Sequence, residues 1–241
     1  MDKINFISLL YKAFEENRLS TLLTDKTAEN LCNFADLLVE TNKITNLTAI
    51  TDDKGIILKH FIDCASVSEH IDTGAKLIDV GCGAGFPSVP LAIIRPDLTV
   101  TALDSTGKKI DFVKTVATKL SLTNLNAICA RAEDFATNNR ESFDISTSRA
   151  VARLNVLAEI SLPLVKVGGK FIAMKSNKGA EEFAEASAGI KKLGAELEAS
   201  TDKIFSFDGE TINREFYIFR KTRSTPKEFP RKYSQILKKP L

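Results

Sequence analysis

Leu77-Ile78-Asp79-Val80-Gly81-Cys82-Gly83-Ala84-Gly85, with Ala102-Leu103-Asp104 ending nineteen residues after Gly85, is the stretch that decides how this chain is read. An apolar run ends in a carboxylate, and three glycines then alternate. A strand that feeds such a loop lets the backbone come close to a ligand, because glycine carries no Cβ. A second strand ending in an acid offers a carboxylate to the two hydroxyls of a ribose. The pair points to an adenosine-containing cofactor.

Which cofactor depends on the loop. A nicotinamide site needs Gly-x-Gly-x-x-Gly with a pyrophosphate at the helix N-terminus. Here the third glycine comes one residue early, at Gly85, and Phe86 and Pro87 follow. An oxidoreductase is therefore disfavoured. The pattern Asp-x-Gly-x-Gly-x-Gly, beginning at Asp79, resembles the first motif of class I S-adenosylmethionine-dependent methyltransferases. That cofactor has no phosphates, and its ribose would meet Asp104.

The rest of the chain fits an α/β domain with a helical extension. Ile4, Ile7, Tyr11 and Phe14 form one apolar stripe at helical spacing, and Ala28, Leu31, Ala35 and Leu38 form another after a Thr24-Asp25 cap. Asn42 to Thr51 reads as a loop and Ile56 to Val67 as a third helix. Strands are expected at Lys76–Val80, Thr99–Asp104, Asn126–Ala130, Phe143–Thr147, Lys170–Lys175, Lys203–Phe207 and Glu215–Arg220. Helices are expected at Pro87–Ile94, Gly107–Leu120, Leu154–Val165 and Gly179–Leu193. Strands separated by such helices imply right-handed crossovers and a parallel sheet. The last two strands would pair antiparallel through Asp208-Gly209-Glu210. The expected fold is thus a Rossmann-like, mostly parallel seven-stranded sheet. Residues 1–70 are a helical extension packed on the core, 71–222 the cofactor-binding domain, and 223–241 a basic tail.

Composition narrows the function classes. The chain has 241 residues, 44% of them hydrophobic, which supports a sizeable core. No apolar run approaches the roughly 20 residues that span a bilayer, and the N-terminus lacks the pattern of a signal peptide. A cytoplasmic protein is expected. Cys32, Cys64, Cys82 and Cys129 form no Cys-x-x-Cys pair and His60 and His70 no cluster, so no metal is expected. His60 reads as structural. Net charge is +2, but eight basic residues and only Glu228 lie from Arg220 onward. That end suits a polyanion or is a solvated terminus.

Ligands of such sheets bind at the carboxyl ends of the strands, where the strand order switches. Gly81–Gly85, Asp104, Arg131-Ala132-Glu133-Asp134 and Ser148-Arg149-Ala150 are all expected there. Glu133 or Asp134 suits an adenine amino group, and Arg149 would face the crevice.

Several segments together resemble one family. They are Asn46-Leu47-Thr48-Ala49-Ile50, Lys59-His60-Phe61-Ile62-Asp63, Asp79 through Pro90, Asp104-Ser105 with Lys108-Lys109, Arg131-Ala132-Glu133 and Ser148-Arg149-Ala150-Val151-Ala152. They resemble the bacterial small-subunit rRNA guanine-N7 methyltransferases (RsmG, or glucose-inhibited division protein B). The resemblance implies methylation of N7 of guanine 527 in 16S rRNA, with S-adenosylmethionine as cofactor. It implies a cofactor site of Asp79, Gly81, Gly83, Gly85, Phe86, Asp104, Ala132, Glu133 and Arg149. Arg149 would also act at the junction with the RNA, and Asn46 would contact the base. The partner would be 16S rRNA within a ribosomal particle, with no membrane, and the enzyme a monomer. The alternative is a methyltransferase acting on another RNA, a protein or a small molecule. The tail keeps Pro230-Arg231-Lys232 and Lys238-Lys239-Pro240-Leu241 but departs from relatives in Tyr233-Ser234-Gln235-Ile236-Leu237.

Overall fold

The computed structural model describes residues 2–149, 152–176 and 179–241. Its seven strands are β1 (Lys76–Val80), β2 (Thr99–Asp104), β3 (Leu125–Cys129), β4 (Phe143–Arg149), β5 (Val165–Lys175), β6 (Ala195–Phe207) and β7 (Glu210–Lys221). They form one sheet in the order β3-β2-β1-β4-β5-β7-β6. All neighbours from β3 to β5 are parallel, and β7 runs antiparallel between β5 and β6. The order reverses between β1 and β4, so a crevice opens at their carboxyl ends, beside the glycine loop.

Among the described residues ten α-helical elements surround the sheet: α1 (Lys3–Glu16), α2 (Asp25–Asn42), α3 (Asp53–Ile56), α4 (Asp63–Ser66), α5 (Ser88–Ile94), α6 (Gly107–Lys119), α7 (Ala132–Asn138), α8 (Leu154–Ser161), α9 (Gly179–Lys192) and α10 (Tyr233–Lys238). Thr24 caps α2 through a reciprocal bond pair with Thr27. Ala28, Leu31, Ala35 and Leu38 are all buried, as their spacing predicts. α1 is turned from its predicted face. Phe6, Leu10, Ala13 and Phe14 are buried, while Ile4 is 85% exposed. Two stripes at 3-4 spacing share Phe14. The one with two aromatic rings and a leucine buries more apolar area, and Tyr11 instead donates to Asp25 at 2.6 Å.

The extension and the sheet share one hydrophobic cluster. Phe34 on α2 touches Phe61, Phe86 and Phe112, with ring centroids 5.9, 5.3 and 6.2 Å away. Packing of α2 therefore reaches the loop that follows β1.

Further elements differ from expectation: α7 and α10 were not expected, and β5 begins at Val165 and not at Lys170. The third helix is interrupted: Ile57–Ile62 is a π-helical turn between α3 and α4, followed by a 3-10 turn at Val67–His70. The helix expected to reach Val165 ends at Ser161. Pro163, which has no N–H to donate, closes a 3-10 turn before β5. The last hairpin is longer than predicted, although its turn lies where expected, with Asp208 and Gly209 both at positive φ.

The 223–241 segment is packed, not loose. Phe229 and Ile236 are buried, and Arg140 donates to the carbonyls of Thr225, Pro226 and Phe229. No helix of the described residues is long and apolar enough to cross a membrane.

Candidate active-site cleft

From Leu77 to Val80, β1 is buried on both sides and apolar except at Asp79, as a central parallel strand requires. The loop after it turns back onto β2, where Gly81 and Cys82 both donate to the Leu103 carbonyl at 2.8 and 3.0 Å. Gly81, Gly83 and Gly85 all take positive φ, at 78°, 57° and 92°. Their roles differ. A Cβ at Gly85 would lie 2.4 Å from Val89 Cγ2, so that glycine lets the loop pack on α5. A Cβ at Gly83 would meet nothing within 4 Å.

Asp104, the last residue of β2, accepts from Gly83 N at 3.0 Å through Oδ2 and from Thr106 N at 2.8 Å through Oδ1. Each carboxylate oxygen retains a further lone pair for a hydroxyl donor.

Two clefts meet at Gly81 and Asp104. One, about 180 Å³, runs past Ala132 and Glu133 at the start of α7 and is walled by Ile160 and Tyr233. The other, about 350 Å³, is lined by Leu47, Thr48, His60, Gly83, Phe86 and Arg149, with Lys109 at its edge.

The second cleft rests on a buried polar chain. Asp63 is fully buried and accepts from Arg149 Nη1 at 2.8 Å and from Arg214 Nε and Nη2 at 2.6 and 3.1 Å. Arg149 also donates to the Lys59 carbonyl at 2.9 Å and to His60 Nδ1 at 3.2 Å. Its guanidinium lies 5.1 Å from the Phe86 ring centre, and His60 stacks on the same ring at 4.2 Å. The π-helical turn aims Lys59 O, His60 and, just after it, Asp63 at Arg149. Such turns recur at functional sites.

Burial pushes His60 down to about 3, and the Arg149 charge adds to the effect. The ring is therefore neutral. Burial also pushes the Cys82 thiol well up. Neither group is poised as a base or nucleophile. Asp79 is fully buried. Its Oδ2 accepts from Ser88 N at 3.1 Å, while Oδ1 has no partner among the described residues. Burial drives its carboxyl up to about 7.

Of the residues singled out from sequence, Gly81, Asp104, Ala132 and Glu133 line the first cleft, and Gly81, Gly83, Phe86, Asp104 and Arg149 line the second. Asp79 and Gly85 lie behind the loop. Asn46 is exposed and lines neither cleft, whereas its neighbours Leu47 and Thr48 do. Ala150 and Val151 fall outside the described residues. Thr48, His60 and Tyr233 were missed as site residues. Asn42, which was also missed, clamps the Asn46 loop by accepting from Leu47 N and Thr48 N and donating to Thr48 O. The Asn-Leu-Thr segment was the sequence signal that tied that loop to the site. His60 offered none beyond its place in the Lys59–Asp63 segment. Among the described residues no cluster of metal-ligating side chains occurs.

Residues 27–204 match the family described as GidB, rRNA small subunit methyltransferase G. The chain is 47% identical over 224 residues to the ribosomal RNA small subunit methyltransferase G of Staphylococcus carnosus, covering 91% of this chain and 92% of that one. It is 44% identical over 241 residues to the protein of the same name from Staphylococcus haemolyticus, covering 99% of each. An O-methyltransferase from Bacillus cereus in complex with SAH shares the fold. Its TM-score is 0.53 at 17% identity, covering 78% of this chain and 91% of that one.

Proposed function

The chain belongs to the rRNA small subunit methyltransferase G family, and from that premise we propose that it methylates N7 of one guanine, position 527 of 16S rRNA. The observation that carries this reading is the pair of clefts joined at Gly81 and Asp104. One suits an adenosine and the other a nucleobase. S-adenosylmethionine, when bound, supplies a methyl group activated by a sulfonium.

The residues fit that cofactor. Asp104 has lone pairs left for ribose hydroxyls, Gly83 leaves open space, and the Asp79 carboxyl, with one unpartnered oxygen, supplies a negative charge behind the loop once ionised. Glu133 and Tyr233 would flank the adenine. Guanine N7 carries a lone pair and no proton, so attack on the methyl needs no general base. A neutral His60 with both ring nitrogens engaged and a protonated Cys82 suit that requirement. The protein's task is alignment, which can supply about 7–11 kcal/mol of a barrier. Lys108, Lys109 and Arg131, near the ends of β2 and β3, would hold phosphates without reading sequence. Because an RNA duplex hides N7 in a deep groove, the target is an accessible loop. The substrate is 16S rRNA in a ribosomal particle, met by a cytoplasmic monomer.

The direct test is to incubate the protein with labelled cofactor and small-subunit rRNA, alone and assembled, and then map the modified base. Label on guanine N7 at one position is the expected result. Label on protein or on another base overturns the reading.

Two variants test the cofactor site. Gly83→Val forces a β-branched residue into a positive-φ position and fills the open side of the loop. Calorimetry should show cofactor binding lost while circular dichroism stays that of a folded domain. Asp79 has a pH signature. Its pKa is raised in the free protein, so above the ordinary carboxylate range the fold is progressively penalised as pH rises towards about 7. A cationic cofactor favours the ionised form. Affinity should tighten about tenfold from roughly pH 6 to pH 8, and Asp79→Asn should bind with a flat profile over that range.

A further inference from the structure

We propose that Thr48 reads O6 of the target guanine, its hydroxyl held as an obligate hydrogen-bond donor by the chain Asp63–Arg149–His60. The inference deepens the guanine-N7 reading and rests on it.

The direction of each bond follows from the chemistry of its members. Arginine has only donors, so Arg149 Nη2 must donate to His60 Nδ1, at 3.2 Å. His60 is neutral, and its single ring proton then sits on Nε2. That nitrogen lies 3.1 Å from Thr48 Oγ1 and must donate to it. Ile50 N donates to the same oxygen, also at 3.1 Å. A hydroxyl oxygen accepts two bonds and donates one. With both acceptor positions filled, the Thr48 proton is left to donate elsewhere, and Thr48 lines the cleft.

Thr48 is also held in place. Asn42 bonds both its N–H and its carbonyl, and Asp63 fixes Arg149 from beneath. The hydroxyl is therefore both oriented and positioned.

Guanine presents two acceptors on the edge that is methylated, N7 and O6, whereas adenine presents N7 and an N6 amino donor. N7 must face the methyl group and cannot also accept a bond from the protein. O6 is then the one group on that edge left for recognition. A donor-only hydroxyl pairs with O6 and faces the adenine amino group donor to donor.

The test uses small subunits assembled from 16S rRNA whose target nucleotide is guanosine, inosine (O6 kept) or 2-aminopurine riboside (N7 kept, O6 absent). Methyl transfer from labelled S-adenosylmethionine is followed with wild type, Thr48→Val and Thr48→Ser. Wild type should use guanosine and inosine similarly and 2-aminopurine about 10- to 100-fold more slowly, the cost of an unpaired hydrogen-bonding group. Thr48→Val should lose a similar factor on guanosine and treat guanosine and 2-aminopurine nearly alike. Its cofactor affinity should stay that of wild type, which shows that the site is intact. Thr48→Ser should restore the discrimination. A Thr48→Val enzyme that binds cofactor and keeps the wild-type ratio of guanosine to 2-aminopurine overturns the proposal. If wild type methylates neither guanosine nor inosine at N7, the parent reading fails first, and that is visible without any variant.

Discussion

Arg149→Ala is expected to lower stability by about 3–5 kcal/mol as well as to abolish methyl transfer. From sequence, Arg149 stands out as a residue for the crevice, and transfer should then suffer far more than the fold. The geometry revises that expectation. Asp63 has no exposed surface and depends on two arginines for compensation. Removing Arg149 leaves a buried carboxylate held from one side only. The Lys59 carbonyl and His60 Nδ1 each lose a donor, and the Phe86 ring loses its cation. Against a typical total of about 5–15 kcal/mol, the loss is a large fraction. Thermal unfolding should shift down by about 10 °C. Arg149→Lys should fall between the two, because an ammonium keeps the charge but cannot reach Asp63, Lys59 O and His60 with a planar fork. An unchanged unfolding midpoint in Arg149→Ala, with transfer lost, would return Arg149 to a purely catalytic role.

How much of this was legible in the sequence depends on how far apart the interacting residues lie. The glycine loop, β1, β2 and Asp104 were readable because strand, turn and strand-end acid form a local pattern with fixed spacing. The mostly parallel sheet followed from the alternation of elements, and the Asp208-Gly209 turn from its residues; the strand order did not, because it is set by contacts distant in sequence. The face of α1 was not readable, because two apolar stripes compete locally and only the partner surface chooses between them. The π-helical turn at Ile57–Ile62 was not readable either. Its extra residue serves contacts with Arg149, some ninety positions away. His60 reads as a core histidine on local grounds. Only the fold brings Thr48 and Arg149 to opposite nitrogens of its ring. Asn46 shows the converse. The segment around it lines the cleft, yet through Leu47 and Thr48 and not through Asn46.

Deleting residues 224–241 is expected to damage the fold and the cofactor site together. Distance in sequence from the glycine loop argues that such a truncation leaves cofactor affinity intact and weakens only RNA binding. The packing of the tail opposes this. Glu159 on α8 is fully buried, and Arg231 compensates it through Nε, Nη2 and its own backbone N–H. Thr225 accepts from the buried Lys221 ammonium, which burial has already pushed down to about 8. Phe229 and Ile236 fill the second core cluster. The truncation leaves the buried Glu159 without its cation, a mechanism that costs several kcal/mol, and takes Thr225 from Lys221, which keeps Glu141 and the Leu162 and Val165 carbonyls. Of the eight basic residues from Arg220 onward, Arg220, Lys221, Arg223 and Arg231 are engaged with Glu198, Glu141, the Lys191 carbonyl and Glu159. Lys227, Lys232, Lys238 and Lys239 are the ones that remain for phosphates. A milder change separates the roles. Tyr233 walls the first cleft and packs near Arg131, so Tyr233→Ala should weaken cofactor binding about tenfold, the order of one aromatic stacking partner, with little change in the salt dependence of RNA binding. Replacing the four remaining lysines by glutamine should do the reverse. It should flatten the salt slope by up to about 0.7–0.9 for each phosphate no longer neutralised, while calorimetry shows wild-type cofactor affinity. A truncated chain that still unfolds at the wild-type midpoint and binds cofactor normally would show that the contacts of Arg231 and Tyr233 carry no such weight.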